Sequence, residues 1–313
     1  MRIEKQGKVV KGLGGLFETR VVEEDGSVIR YACRAKGALH RGDAKVLVGD
    51  NVVLSMDTAT PDDIVLSAIG ERKNALIRPP MANLDILCMV VASAKPAPVL
   101  ETVDKLLSIA EHHGIEPVLI FTKTDVDREN AERLAALYRG AGFTVFTVSS
   151  LLSEGIAPVR DYLLRELKNG RIAAFAGASG VGKSTLVNGI FPHLQLATAE
   201  ISEKIERGRH TTRHVELFEI GEGSEAGYLA DTPGFSLLDF ERFDFFGLDD
   251  LLSTFRDFAP YIGGCRYSDC AHIGEGPAEC AIARAAAEGK LAPSRLSSYR
   301  SIYRVLKSKN EYK

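Results

Sequence analysis

The run Gly177-Ala-Ser-Gly-Val-Gly182-Lys183-Ser184-Thr185 constrains this chain more than any other stretch. It follows the apolar segment Ile172-Ala-Ala-Phe-Ala176 and precedes Leu186-Val-Asn-Gly-Ile190. Strand, glycine-rich turn and helix in that order make a phosphate-binding loop. The glycines let the backbone N–H groups of Gly177, Ala178, Ser179, Gly180, Val181 and Gly182 converge on phosphate oxygens. The helix opening at Lys183, Ser184 and Thr185 aims its positive dipole end at the same anion. Lys183 is expected to bridge the terminal phosphates and Ser184 to ligate Mg²⁺. The alternative reading of this stretch alone is a glycine-rich turn carrying an exposed lysine.

A chain of 313 residues that is 45% hydrophobic and 26% charged is long enough for two or three cores. Its formal net charge of −3 excludes a global polycation, so any nucleic-acid contact must come from a local patch. The start, MRIEKQGKVV, has no apolar core of signal-peptide length, and no window reaches the roughly 18 apolar residues of a membrane span. A cytoplasmic protein without a membrane partner is expected. Of the five cysteines, Cys33 and Cys88 stand in apolar runs. Cys265, Cys270 and Cys280 cluster around His272, a set that suggests metal instead of disulfides.

Residues 1–72 alternate short β-rich runs, among them Lys8-Val-Val10, Ser27 to Cys33 and Lys45-Val-Leu-Val48, with Gly, Asp and Asn turns. This is the pattern of a small all-β barrel, and Val48-Gly-Asp-Asn-Val-Val-Leu54 turns tightly as the corner of an oligonucleotide-binding (OB-like) barrel would. A packing barrel without nucleic acid is the competing reading. From Asn83 the pattern changes to buried strands alternating with amphipathic helices. Strands are predicted at Ile86–Ala92, Pro117–Phe121 and Phe143–Val148, and helices at Thr102–His113, Arg128–Arg139 and Val159–Leu167. That alternation predicts a doubly wound parallel sheet over residues 73–240.

Two loops fall where the carboxyl ends of such strands hold a ligand. Thr122-Lys123-Thr124-Asp125 resembles the Asn-Lys-x-Asp motif of GTPases, whose Asp accepts two hydrogen bonds from the guanine edge. Ser149-Ser150 stands where those proteins place a backbone contact to the guanine carbonyl. Glu200 to His214 is polar and aperiodic and reads as a loop. Beyond it, strands at His214–Ile220 and Gly227–Ala230 lead into Asp231-Thr-Pro-Gly234. In that Asp-x-x-Gly pattern Asp231 can reach Mg²⁺ through a water and the Gly234 amide can sense the γ-phosphate. Base recognition precedes the phosphate loop, the reverse of the usual order, so the domain reads as circularly permuted.

After an aromatic-rich stretch, Cys265-x4-Cys270-x-His272-x7-Cys280 has the ligand set of a closed tetrahedral zinc site, one ion per chain with a structural role. From Cys280 to Lys313 the chain reads helical, with eight basic residues against Glu288 and Glu311, net +6. A basic helical tail beside a zinc knuckle favours RNA, against the alternative of a solvated helix face.

The whole set resembles the ribosome small-subunit-dependent GTPase A family, circularly permuted bacterial GTPases acting in late maturation of the small ribosomal subunit. Arg78-Pro79 and Ala82-Asn83-Leu-Asp85 also match the family's entry into its GTPase domain. The resemblance implies an OB-like barrel over 1–72, a GTPase domain over 73–240 and a mainly helical zinc domain over 241–313. It implies GTP and GDP as ligands, the small subunit and its rRNA as partners, and a monomer. It also implies that His210, ahead of Thr211 and Thr212, is the water-positioning residue, and that hydrophobic Phe235 stands where Ras-like proteins carry a catalytic Gln. Lys183 and Thr212 complete the implied catalytic set, and the Mg²⁺ ligand is Thr211 or Thr212. Thr122 departs from the family's Asn and removes a side-chain amide, which weakens the expected guanine preference. Arg213 departs from a third Thr, and the interval from His272 to Cys280 is longer than the family's. A phosphate-loop ATPase or kinase, and a nucleotide-locked RNA-binding factor with negligible turnover, are the two alternatives.

Overall fold

The computed structural model describes residues 2–37, 45–57, 60, 63–194, 215–231 and 244–311. The chain divides into two compact units, one of residues 1–87, 157–176 and 183–236, the other of residues 88–156, 177–182 and 237–313.

The first unit opens with five strands, β1 (Arg2–Leu13), β2 (Leu16–Val22), β3 (Val28–Ala35), β4 (Asn51–Asp57) and β5 (Ile64–Ile69). β1 pairs antiparallel with both β2 and β4, β2 with β3 and β4 with β5, and a parallel β3–β5 contact closes the barrel. β1 serves both barrel neighbours along its 12 residues, pairing with β4 from Arg2 to Lys8 and with β2 from Gly7 to Leu13, with a register shift between Val9 and Lys11. Val9, Val10, Val21, Val52, Leu54 and Leu66 are buried. Strict alternation would bury only one of the neighbours Val9 and Val10, and both are buried where the register of β1 shifts.

The expected strand at Lys45-Val-Leu-Val48 does not form, and only Val48 makes an isolated bridge, to Met81. The reason is local. Asp50, fully buried, accepts the Leu47 N–H at 2.7 Å and a two-pronged Arg72 contact at 2.7 and 2.8 Å, which turns the chain instead of extending it. Gly49 permits that turn: its φ is +93° and a Cβ there would meet the Ala82 carbonyl oxygen at 2.1 Å. Asn83, at φ 57°, donates to the Gly49 carbonyl and accepts from Lys73 N–H. The short pair β6 (Ala75–Leu76) and β7 (Met81–Ala82) lies alongside.

The same unit holds β11 (Ile172–Ala176), β12 (Glu216–Ile220) and β13 (Gly227–Asp231), in the order β11-β13-β12-β1. β11 runs parallel to β13, whereas β12 is antiparallel to it. The sheet is therefore mixed here, because only the short segment Gly221–Ala226 joins β12 to β13 and no crossover helix fits there. β12 continues into the barrel through Glu216, opposite Lys11 on β1. Asp85 fixes the start of β11, giving its N–H to the Ile172 carbonyl and accepting the Ile172 N–H on its side chain.

The second unit has β8 (Ile86–Ala92), β9 (Glu116–Thr122) and β10 (Thr144–Thr147) in the order β10-β9-β8, with β10 parallel to β9. All seven β8 residues are buried, which explains its unbroken apolar sequence. α1 (Leu100–His112) and α2 (Arg128–Gly140) flank these strands. α3 (Ile156–Glu166) and α4 (Lys183–Ile190) follow in the chain. The C-terminal region comprises two 3-10 turns at Leu251–Thr254 and Arg256–Tyr261, then α5 (Ala281–Ala287) and α6 (Pro293–Glu311). Its core gathers Phe255, Phe258, Tyr299 and Ile302 with Ile109 of α1. No helix among the described residues is long and apolar enough to cross a membrane.

Arg295 of α6 belongs to this core, with only 1% of its surface exposed. It donates to Asp104 at 2.6 Å and to both carboxylate oxygens of Asp257 at 2.9 and 3.1 Å, and lies over the Phe255 ring. Tyr138 also donates to Asp104. Part of the tail's positive charge is thus structural: Arg300 donates to the His272 carbonyl and Lys309 pairs with Asp244. Arg295→Ala strands two buried carboxylates and is expected to cost about 3–5 kcal/mol, read as a lowered unfolding midpoint by circular dichroism. A change below about 1 kcal/mol would show that water replaces the guanidinium.

Candidate functional site

In the second unit the carboxyl end of β9 delivers the Thr122–Asp125 turn directly onto the glycine-rich loop at 177–182. The Thr122 hydroxyl donates to the Val181 carbonyl at 2.6 Å, and Lys123 donates to the Gly180 carbonyl at 2.7 Å and to the Lys95 carbonyl. Lys123 adopts φ 61°, the bend that turns its ammonium back over the loop. The expected loss of a side-chain tie at Thr122 is therefore not what the fold shows, because a hydroxyl spans the same gap to the loop. Ser93 was not legible as part of this site. Its hydroxyl donates to the Thr122 carbonyl at 2.8 Å and braces the strand end.

Asp125 is exposed, and one of its oxygens accepts the Ser149 hydroxyl at 2.6 Å. That bond fixes the carboxylate plane and leaves acceptor capacity for a base edge. Ser149 also exchanges backbone hydrogen bonds with Glu154, so its N–H is committed within the loop. Its hydroxyl is the part that reaches Asp125. In the phosphate loop itself Ala178, Ser179 and Gly180 are exposed. Gly180 and Gly182 take φ 76° and 92°, and a Cβ at Gly177 would meet the Val90 carbonyl oxygen at 2.5 Å. These are the positions at which a side chain would close or distort the cradle.

In the first unit, α4 begins at Lys183 with Ser184 half-buried and Thr185 exposed, and β13 ends at Asp231. Burial lowers the Lys183 ammonium below its ordinary range, and the charge of Asp231 opposes the shift. Desolvation by the surrounding protein raises the Asp231 carboxyl although its side chain keeps solvent access; Lys183 opposes that shift and Glu216 adds to it. A cation and a carboxylate that each lack full solvation suit a site completed by a charged ligand. His210, Thr211, Thr212, Gly234 and Phe235 lie outside the described residues.

The four-residue cluster of Cys265, Cys270, His272 and Cys280 does come together. The His272 Nδ1 lies 3.5, 3.4 and 3.4 Å from the sulfurs of Cys265, Cys270 and Cys280, and Cys265 and Cys280 are 3.9 Å apart. A tetrahedron built on metal–sulfur bonds of about 2.3 Å and metal–nitrogen bonds of about 2.0 Å has edges of roughly 3.8 Å for S···S and 3.5 Å for S···N. The cluster can hold a metal ion on that measure, and the ligand atoms all lie within 4.8 Å of one another. The polypeptide also prepares the sulfurs for negative charge. Cys280 caps α5 and accepts the Ala283 N–H, while Cys265 accepts the Ala281 N–H. The long interval from His272 to Cys280 is absorbed by a bend at 272–274, a turn at 277–279 and the left-handed conformation of His272, φ 63°.

The sequence profile described as RsgA GTPase matches residues 69–241, and that described as RsgA N-terminal domain matches residues 6–61. The chain belongs to the RsgA GTPase family. As an RsgA-family protein it is a GTP hydrolase, with the barrel, permuted nucleotide domain and C-terminal Cys/His region that its motifs predict. It is 35% identical to a protein of Agathobacter rectalis named small ribosomal subunit biogenesis GTPase RsgA, over 98% of this chain and 99% of that one. It is 36% identical to the protein of the same name from Alkaliphilus metalliredigens, again over 98% and 99%. Among solved structures, YjeQ from Thermotoga maritima superposes with a TM-score of 0.77 at 30% identity, covering 97% of this chain and 99% of its own. YloQ, titled a circularly permuted GTPase, superposes with a TM-score of 0.75 at 28% identity, covering 98% and 96%.

Proposed function

We propose that this RsgA-family GTPase binds GTP with Mg²⁺ and hydrolyses it during late maturation of the small ribosomal subunit, in the cytoplasm and as a monomer, while contacting the subunit's rRNA. The observation that carries the site reading is the direct tie between base motif and phosphate loop, from Thr122 to Val181 and from Lys123 to Gly180. It sets the distance between base and phosphate at which one nucleotide is measured. Asp125, braced by Ser149, reads the guanine edge, and Ser150 offers its backbone to the guanine carbonyl. Gly177 to Gly182 cradle the phosphates, and Lys183 bridges the terminal two.

Bound Mg²⁺ would neutralise phosphate charge, and Ser184, Asp231 and either Thr211 or Thr212 are the residues to hold it. Gly234 would sense the γ-phosphate and His210 orient the attacking water. The Cys/His cluster would hold one structural zinc, since three thiolates and an imidazole leave no open position for a reacting water. The division into 1–72, 73–240 and 241–313 assigns RNA contact to the barrel and the C-terminal region. On α6 the basic side chains to meet RNA are Arg304 and Lys307, which stay exposed, and not Arg295.

The test is a pair of titrations. Wild type should bind GTP far more tightly than ATP, and Asp125→Asn should weaken GTP by about 1.5–3 kcal/mol, tenfold or more, while gaining xanthosine nucleotides. Equal wild-type affinity for ATP and GTP would return the chain to the ATPase or kinase reading.

A further inference from the structure

A cavity of about 590 Å³ lies in the first unit between the barrel and the Tyr228 end of β13, away from Asp231. That volume falls in the range of roughly 300–1,000 Å³ that small organic ligands occupy. Val53 contributes an apolar wall, while Asn51 and Asn169 contribute amides that can both donate and accept.

Two cations border it. Arg20 and Lys8 both stand 5.9 Å from the centroid of the same Tyr228 ring. Arg20 donates to Glu219 at 2.8 Å, and Glu219 also accepts from Arg30, which pairs with Glu18. In that chain two arginines balance two carboxylates, so the charge of Lys8 is left over. Among the described residues no carboxylate or hydrogen-bond acceptor meets the Lys8 ammonium. Burial pushes it down to about 8, with Asp85 and Asp50 opposing from farther off and Lys73 reinforcing. An amine held against a ring in a cavity, with its counter-charge missing, calls for an anion.

We propose that this cavity is a second ligand site, separate from the phosphate loop, for an organic phosphate of up to mononucleotide size whose phosphate pairs with Lys8. Phosphate fits better than carboxylate because the Arg20 guanidinium sits on the same ring. A dianion can pair with Lys8 and set a further oxygen toward the Arg20 guanidinium, which is already held by Glu219 and the Gly223 carbonyl, while the two amides and the valine wall receive the organic part. The ligand's source is a free small phosphate or the 5′-phosphate of an RNA end, and the two share this chemistry.

The experiment uses the full chain saturated with GDP and Mg²⁺, so that the phosphate loop is filled. Adenosine 5′-monophosphate is titrated calorimetrically, beside adenosine and a 5′-phosphorylated RNA hexamer. One further site for the monophosphate is expected, weakened at least about tenfold in Lys8→Gln and kept within about threefold in Lys8→Arg. Displacement by the hexamer assigns the source to an RNA end; failure to displace assigns it to a free metabolite. A second readout needs no variant. At pH 7.5 an amine-directed acylating reagent should label Lys8 ahead of ordinary lysines, and the monophosphate should protect it. The proposal is overturned if neither probe binds at millimolar concentration, if adenosine binds as well as its monophosphate, if Lys8→Gln leaves affinity unchanged, or if Lys8 acylation proceeds unprotected.

Discussion

Lys183→Ala is expected to lower GTP hydrolysis by at least about 10²–10³-fold, the loss typical of removing one preorganised charge donor from a developing anion. The local structure explains why no neighbour substitutes. Lys183 starts α4 and is partly desolvated, and the charge of Asp231 works against that desolvation. In the proposed site, loss of the ammonium would leave Asp231 facing the phosphates as an uncompensated carboxylate. Affinity for GTP should fall together with turnover if, as proposed, the lysine contacts phosphate before and during the reaction. Single-turnover phosphate release at saturating GTP separates the two effects. A variant that hydrolyses at the wild-type rate once saturated would show that Lys183 supplies only uniform binding.

Metal removal should have the other large effect. Chelation, or Cys270→Ser, is expected to unfold the region from residue 265 through α5, since small structural zinc sites carry apparent binding free energies of about 10–16 kcal/mol at neutral pH. The consequence reaches α6. Arg300 donates to the His272 carbonyl and Tyr299 to the Ala271 carbonyl, so loosening the Cys/His loop would free the face of the helix that also carries Arg295. Subunit binding should fall while basal hydrolysis survives. Elemental analysis of chelator-free protein measures the premise, and protein without zinc would remove it. Zinc-containing protein whose Cys270→Ser form binds subunits with unchanged salt dependence would move the RNA contact to the barrel.

What could be read from the sequence was the chemistry that is local in the chain. The glycine-rich loop at 177–182, the Thr122–Asp125 turn and the Cys/His cluster each lie within sixteen residues, so their residue types and spacing are visible without the fold. The barrel and the alternating strands were legible for a similar reason, because burial on one or both faces writes itself into period and composition.

What escaped were long-range partnerships. Arg295 counted as one of eight basic residues in the tail, yet its partners are Asp104 and Asp257, and nothing in composition marks which arginine will be buried. Thr122 looked like a loss because its hydroxyl's acceptor, Val181, lies 59 residues away. Ser149 matched a motif position whose usual contact is through the backbone, whereas here its hydroxyl holds Asp125. Lys45 to Val48 had strand composition, but Asp50 and Arg72 captured the backbone first.

Phosphate release from GTP by the purified full-length chain, with and without small ribosomal subunits, tests the central claim most directly. Phe235, next to Gly234, has no polar atom to orient water, so basal turnover should be slow until an external surface completes the site. The account predicts a rise of roughly 10³–10⁵-fold on adding subunits, the range a trans-acting supplement provides. A rate unchanged across subunit concentration and salt, or ATP cleaved as fast as GTP, would contradict it.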